Sequence, residues 1–404
     1  MTAILKIQPD PGIDIRQLDL HIHPFADLCT ISARDIYDRY IAQQHLEFTR
    51  AFEQLAGGRA DAVAALPMLA DVPLDAPEFG YVASLDSAAV CAIFEDLHRH
   101  VFGHPVWIHP FFERFARGDF TKPQFVDFGG HYLNQIKNTR QCVALALGRL
   151  HSLALEDMSY THERIGEQSQ VVLAGILADE YGVAAHPTTG HGDAALPADL
   201  CWATTHVDLF RRLLALVDVP VGAQDRPMLP QVADNVLIQR GVASDPAYDM
   251  LEALASVGMA MEWGVPIIFS HLLRGVLVFG ERTGLAITPY DVEVLSGHVT
   301  QDVEHAIGVM LAALLWLRSP DDLARVRQTT SLVMAGRYQM MSAIYEAVFD
   351  EPCAPLDTAM LSPEHHLHDR RALDMVARMR AAANPAMVDH RDYRTAPIVL
   401  PFVA

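Results

Sequence analysis

Apolar residues recur at helical spacing from about residue 87 to residue 350, and alternating β-branched runs are nearly absent. Ser84 and Ser87 are candidate caps before AAVCAIFEDLHRHVF, and Pro110 opens FFERFARG, which Gly118 closes. Thr121, with Pro123 just behind it, opens a long helix through FVDFGGHYLNQIKNTRQCVALALGRL. Further amphipathic segments are predicted at about 160–181, 205–216, 246–278, 289–317, 320–350 and 370–382. The Pro-, Gly- and His-rich run Ala184 to Leu200 separates two of them as an inserted loop. Upstream, a helix is predicted from about Ala33 to Leu55 with Ile36, Tyr40, Leu46 and Phe52 inward, and Gly57 to Gly80 reads as short helices or loop. The pattern predicts an all-α architecture: an N-terminal extension over 1–90, a helical domain over 91–350 and a tail over 351–404.

Composition narrows the class. Of 404 residues 51% are hydrophobic, enough to bury a substantial core and to exclude global disorder. Thirty Lys and Arg against fifty Asp and Glu leave a net charge of −20, which argues against nucleic acid and anionic membranes as main partners. The five cysteines (Cys29, Cys91, Cys142, Cys201, Cys353) form no CxxC pair, so neither a disulfide framework nor a zinc ribbon is expected. The start MTAILKIQPDPGID lacks a basic region followed by an apolar one, so no secretory signal is read. The apolar stretch Ile307 to Leu317 is too short to span a bilayer. These features predict a cytoplasmic protein. The unusual count is twenty histidines, so their placement matters.

The most informative segment is His298-x3-Asp302-x2-His305. At 100° per residue these three fall at about 0°, 40° and −20°, within one helix face. The same stripe continues into Val309 and Ala312, with Val294 and Leu295 one turn before it. Charge among core positions is expensive unless compensated, and a metal ion compensates it; the plainer alternative is a solvated face with a His–Asp pair. Glu262 sits in ALASVGMAMEWGVPIIF with no other Asp, Glu, Lys or Arg within nine residues, so it is neutral, paired or a ligand. Glu180 ends VVLAGILADEYG, and His206 opens HVDLFRRLL after the inserted loop; each could equally be a surface or capping residue. Together the six offer three carboxylates and three imidazoles. Two divalent irons (+4) against three carboxylates (−3) leave +1, and mixed O/N ligation without thiolate suits iron or manganese.

These residues resemble the haem-oxygenase-like non-haem di-iron oxidases and oxygenases, relatives of thiaminase-II-like and quinone-synthase-like proteins. The resemblance covers about residues 95–350. It rests on the H-x3-D-x2-H pattern at 298–305, Glu262 on the preceding long helix, Glu180-Tyr-Gly182, the His206 stretch, and the opening His109 to Thr139. It implies a seven-helix bundle with an N-terminal helical extension. It also implies two Fe(II)/Fe(III) ions held by Glu180, His206, Glu262, His298, Asp302 and His305, with dioxygen as co-substrate. The implied activity is oxidation of a small-molecule substrate, with N-oxygenation of an amine or amino-acid-like compound in specialised biosynthesis favoured. Oxidative C–C cleavage or desaturation of an amino acid or fatty acid is the alternative. An external electron donor and a homodimer through the extension are further expectations. In the family the first histidine follows the first glutamate much more closely than His206 follows Glu180, so His186 and His191 remain open as ligands in its place.

Two other readings stand beside it: a cofactor-free relative using these carboxylates in acid/base work, and a helical binding protein without chemistry. Asp19-x-His21-x-His23-Pro24 resembles the first-strand metal motif of amidohydrolase barrels, but a helical chain offers it no barrel. His98, His100, His104, His109 and His131 are expected in capping, core or surface roles, with His131 and Tyr132 as candidate pocket residues. Trp107, Trp202, Trp263 and Trp316 are expected to pack.

Overall fold

The computed structural model describes residues 19–20, 23–24, 33–59, 61–64, 66–70, 72–149, 159–182, 205–220, 223–356, 361–368 and 370–403. Its helices are α1 (Ala33–Ala56), α2 (Ser87–Phe102), α3 (Pro110–Ala116), α4 (Lys122–Arg149), α5 (Tyr160–Glu180), α6 (His206–Ala215), α7 (Pro230–Ser244), α8 (Met250–Ala255), α9 (Val265–Thr283), α10 (Glu293–Leu314), α11 (Asp322–Phe349) and α12 (Arg371–Ala382), joined by short 3₁₀ and one-turn pieces. Among the described residues the only sheet is a two-residue antiparallel pair, Asp19–Leu20 with His23–Pro24. The fold is therefore all-α, as the spacing predicts. No barrel surrounds the Asp19–Pro24 motif among the described residues, and His21 lies outside them.

Helix starts follow side-chain chemistry, with one correction. The cap of α2 is Asp86, whose carboxylate accepts the Ala89 N–H at 2.7 Å. Ser87 is already inside the helix, and the Ser84 hydroxyl instead donates to the Tyr81 carbonyl at 2.7 Å. An ionised acceptor on the orphan amides of a first turn outcompetes a hydroxyl. At α4, Gln124 Oε1 accepts the Thr121 N–H at 2.8 Å, and the Thr121 hydroxyl faces the Gln124 N–H in return. His109 caps α3 by accepting the Phe111 N–H on Nδ1, and Gly118 closes the turn after it at φ +64°.

Helix α7 has no counterpart in the predicted segments. Val232, Ala233, Asp234, Ile238 and Gly241, which point in all directions around the axis, are buried, so the helix is enclosed on every side and carries no apolar stripe. It packs on α4 and α11. In α1 the buried line runs through Phe48, Phe52 and Ala56, and Leu46 points outward at 61% exposure, against the inward position expected for it. Leu46 lies two residues before Phe48, about 200° around the helix.

The segment predicted as one helix over 246–278 is divided. Residues Ser256–Glu262 between α8 and α9 form a π-helix, all of it buried. Met250–Thr283 is long and apolar enough to cross a bilayer by length and composition, more so than Ile307 to Leu317, yet 89% of its most apolar window is packed inside the molecule. The π stretch and α9 both lie against α10. A Cβ on Gly258 would come within 2.2 Å of Val309 Cγ1, so glycine permits this close approach. Val294, Leu295, Val309 and Ala312 are buried, so the stripe bearing His298, Asp302 and His305 faces inward.

Candidate metal centre

Four elements converge on one pocket. Glu180 is the last residue of α5, His206 the first of α6, Glu262 the last of the π-helix, and His298, Asp302 and His305 lie along α10. The first turn of α6 is fixed by a full capping box between Thr205 and Asp208, which sets the position of the histidine beside it. The six donors fall into two groups. Glu180, His206 and His298 form one, and Glu262, Asp302 and His305 the other. Within each group one ligand-type atom per residue lies within 4.8 Å of the others. The pocket, about 390 Å³ including its mouth, is lined by Glu180, His206, Glu262, His298 and Asp302 together with Tyr132, Gln135 and Arg337. His305 stands behind this wall.

Orientation is set by the groups around the donors. His298 Nδ1–H donates to the Val294 carbonyl at 2.6 Å, which leaves Nε2 as its free lone pair. The ring stacks on Phe269 and meets the His206 ring edge-on at 4.5 Å between centroids. His206 Nδ1 lies 3.4 Å from Glu180 Oε1. His305 Nε2–H donates to Asp179 Oδ2 at 2.6 Å, so its Nδ1 turns toward Asp302 Oδ1 at 3.6 Å and Glu262 Oε2 at 3.8 Å. A histidine whose second nitrogen is tied to a carbonyl or carboxylate is the usual arrangement of a metal ligand.

Burial and neighbouring charge set where protons are held in the cluster. Burial, then Glu262, pushes the Asp302 carboxyl well above its ordinary value. Burial works against a charged His305, but the bonds to Asp179 and Glu262 outweigh it and raise the imidazole to about 11. Burial also opposes ionisation of Glu180; His206, His298 and Arg140 together outweigh it and hold the carboxyl low. Burial and the neighbouring His206 keep His298 neutral, at about 3. Asp302 Oδ2 and His206 Nδ1 are buried without a hydrogen-bond partner. Three carboxylates, three imidazoles and two orphaned donor atoms are groups that can hold metal ions.

Three further contributors carry no motif. Asp179 sits beside Glu180 at the end of α5, and nothing in its spacing marks it as a partner of His305. Gln135 belongs to a buried amide network with Asn235, Gln239 and Asn138. Arg337, on α11, is 3% exposed, with Nε and Nη1 lacking a partner. No other Asp, Glu, Lys or Arg occurs from 328 to 345, the same signal that singles out Glu262. Tyr132 lines the pocket, whereas His131 is buried outside its lining. His186 and His191 lie outside the described residues.

Three other histidines have structural roles: His98 packs among Phe94, Phe102 and Trp263, and His104 and His109 cap short helices. Trp107, Trp263 and Trp316 are buried; Trp202 lies outside the described residues.

No protein-family model and no curated protein matches the chain. Among solved structures it is similar to a TenA homolog from Pseudomonas syringae pv. tomato, at 12% identity and a TM-score of 0.46, over 64% of this chain and 93% of that one.

Proposed function

We propose that the protein is a haem-oxygenase-like non-haem di-iron oxygenase that uses dioxygen to oxidise a small amine or amino-acid-like compound, most simply by N-oxygenation. One observation carries the reading: two three-donor groups of mixed carboxylate and imidazole character lie side by side at one pocket, which every donor but His305 lines. Glu180, His206 and His298 would hold one ion, and Glu262, Asp302 and His305 the other. Bound iron supplies the redox chemistry that activates dioxygen, which side chains alone do not provide.

The chain's own residues prepare the pocket. The Val294 carbonyl holds the Nδ1–H of His298, so Nε2 presents its lone pair, and Asp179 holds the Nε2–H of His305, so Nδ1 is the nitrogen that would give up its proton to a bound ion. Phe269, Ile136 and Val265 form the apolar part of the pocket lining, which excludes water from beside the donors. Arg337 favours an amino-acid-like substrate over a plain amine. An unpaired buried guanidinium is costly, and a substrate carboxylate bound in bidentate fashion offsets that cost. Three carboxylates, one guanidinium and two divalent ions leave two positive charges for anionic ligands.

The test is anaerobic Fe(II) titration with metal counting, then rapid mixing with dioxygen under optical detection. The expected result is two irons per chain and a transient visible absorption, both lost in Glu262→Ala and His298→Ala. Absence of iron binding, with or without candidate amino acids, overturns the proposal in favour of acid/base chemistry by the same carboxylates.

A further inference from the structure

A second group of ligating side chains lies away from this pocket, where the C-terminal segment crosses α2. His100, Glu364 and His365 each offer one ligand-type atom, all within 4.8 Å of one another. His100 and His365 are 2% and 1% exposed, and their rings are 4.6 Å apart. Each has one nitrogen committed to backbone. His100 Nε2–H donates to the Arg327 carbonyl at 3.1 Å, with Ser331 Oγ at 3.0 Å, and His365 Nε2–H donates to the His100 carbonyl at 2.7 Å. Both Nδ1 atoms are therefore lone pairs, and both are buried without a hydrogen-bond partner.

Two buried acceptors with nothing to accept from are expensive. A proton does not resolve the conflict. Burial holds both rings neutral, His100 at about 4, with the neighbouring His365 adding to the effect there. A cation does resolve it. Glu364 Oε2 lies 3.6 Å from His100 Nδ1, close to the separation of about 3.4 Å between two ligands of a tetrahedral ion with bonds of about 2.1 Å. The Glu364 side chain is 51% exposed, which gives an ion a way in. His104 is held in the opposite sense. Its Nδ1 accepts the Val106 N–H at 3.2 Å, so its proton sits on the other nitrogen and it is not counted as a ligand.

We propose that His100 Nδ1, His365 Nδ1 and the Glu364 carboxylate form a site for a zinc-class divalent cation, which pins the C-terminal segment to α2. The donor set, two imidazoles and a carboxylate with both second nitrogens tied to carbonyls, fits zinc with a fourth position left to water. Nothing in this site requires the di-iron pocket to be metallated.

The experiment uses the full chain carrying Glu262→Ala and His298→Ala, which disable the first pocket, with cobalt(II) as probe for zinc. The expected result is one cobalt per chain with the visible d–d absorption of a tetrahedral site, displaced by zinc. Adding Glu364→Gln, at an exposed position that leaves packing intact, weakens uptake about tenfold or more, and adding His365→Gln abolishes it. Circular dichroism confirms that each variant is folded. No uptake in the parent variant overturns the proposal, as does uptake that either added substitution leaves unchanged. Because the first pocket is disabled throughout, failure here leaves the di-iron reading untouched.

Discussion

Asp179 illustrates how much of a centre lies one residue outside its donors. Its carboxylate holds the His305 N–H, so Asp179→Asn should weaken Fe(II) binding about 10- to 100-fold by titration, the usual effect of removing a ligand's supporting acceptor. At 30% side-chain exposure the change opens no packing defect, so any fall in melting temperature should come from the lost bond to His305 and stay modest. Asp179 is not legible in the sequence, because one of two adjacent acids at a helix end looks like any surface or capping acid. Glu262 is conspicuous because a lone charge in apolar sequence must be answered by something. Arg337 satisfies the same criterion, but as a cation it falls outside any pattern of metal ligands. In the amino-acid reading, Arg337→Met should leave iron stoichiometry unchanged while raising the KM of a carboxylate substrate, and an unchanged KM would count against that anchor.

Helices reveal themselves through contrast between their faces. Helices α4, α5, α10 and α11 are visible in sequence because each has a wetter side; α7 is not, because neighbours cover every side. The break between α8 and α9 is equally invisible, since a π-helix and an α-helix have the same apolar content. The contact of this break with α10 can be probed at Gly258. Gly258→Ala forces a methyl into Val309 and should cost about 1–3 kcal/mol in urea unfolding. The start of α3 gives a pH-dependent counterpart. Burial lowers the His109 pKa to about 3, and the neutral ring accepts from Phe111 and donates to Ser342. The unfolded chain protonates this residue below about 6.5 while the folded chain does not. Its contribution is thus complete above about 6.5 and is lost as pH falls toward 3. Urea midpoints measured from pH 7 to pH 4 should fall less steeply in His109→Gln than in the parent chain.

For the molecule as a whole, the all-α class and the order of the six donor residues along the chain are legible in the amino-acid sequence. Which donors sit together is not, because pairing of α5 with α6 and of the π-helix with α10 depends on long-range packing. The spacing of apolar residues marks the C-terminal segment only as a tail, yet it is tied back into the body. Arg380 and Asp234, each 3% exposed, form a two-pronged ion pair, and the Tyr393 hydroxyl donates to the same carboxylate at 2.8 Å. Breaking one partner leaves an uncompensated buried charge, so Arg380→Met and Asp234→Asn should each cost about 3–5 kcal/mol in chemical denaturation. The double variant should cost less than the two together, which a double-mutant cycle would measure.

The stretch Ser256–Glu262 stores slack. A π turn holds about one residue more than an α turn of the same height. Removing a single residue there, Met259 for example, would let the chain run on from α8 as an ordinary helix. The carboxylate at its end would then swing by about 100° away from Asp302 and His305. Such a deletion leaves every ligand residue present and the core nearly full, yet it dismantles one of the two donor groups. The make-up of the centre therefore depends on how many residues the chain spends between two helices, as well as on which residues they are.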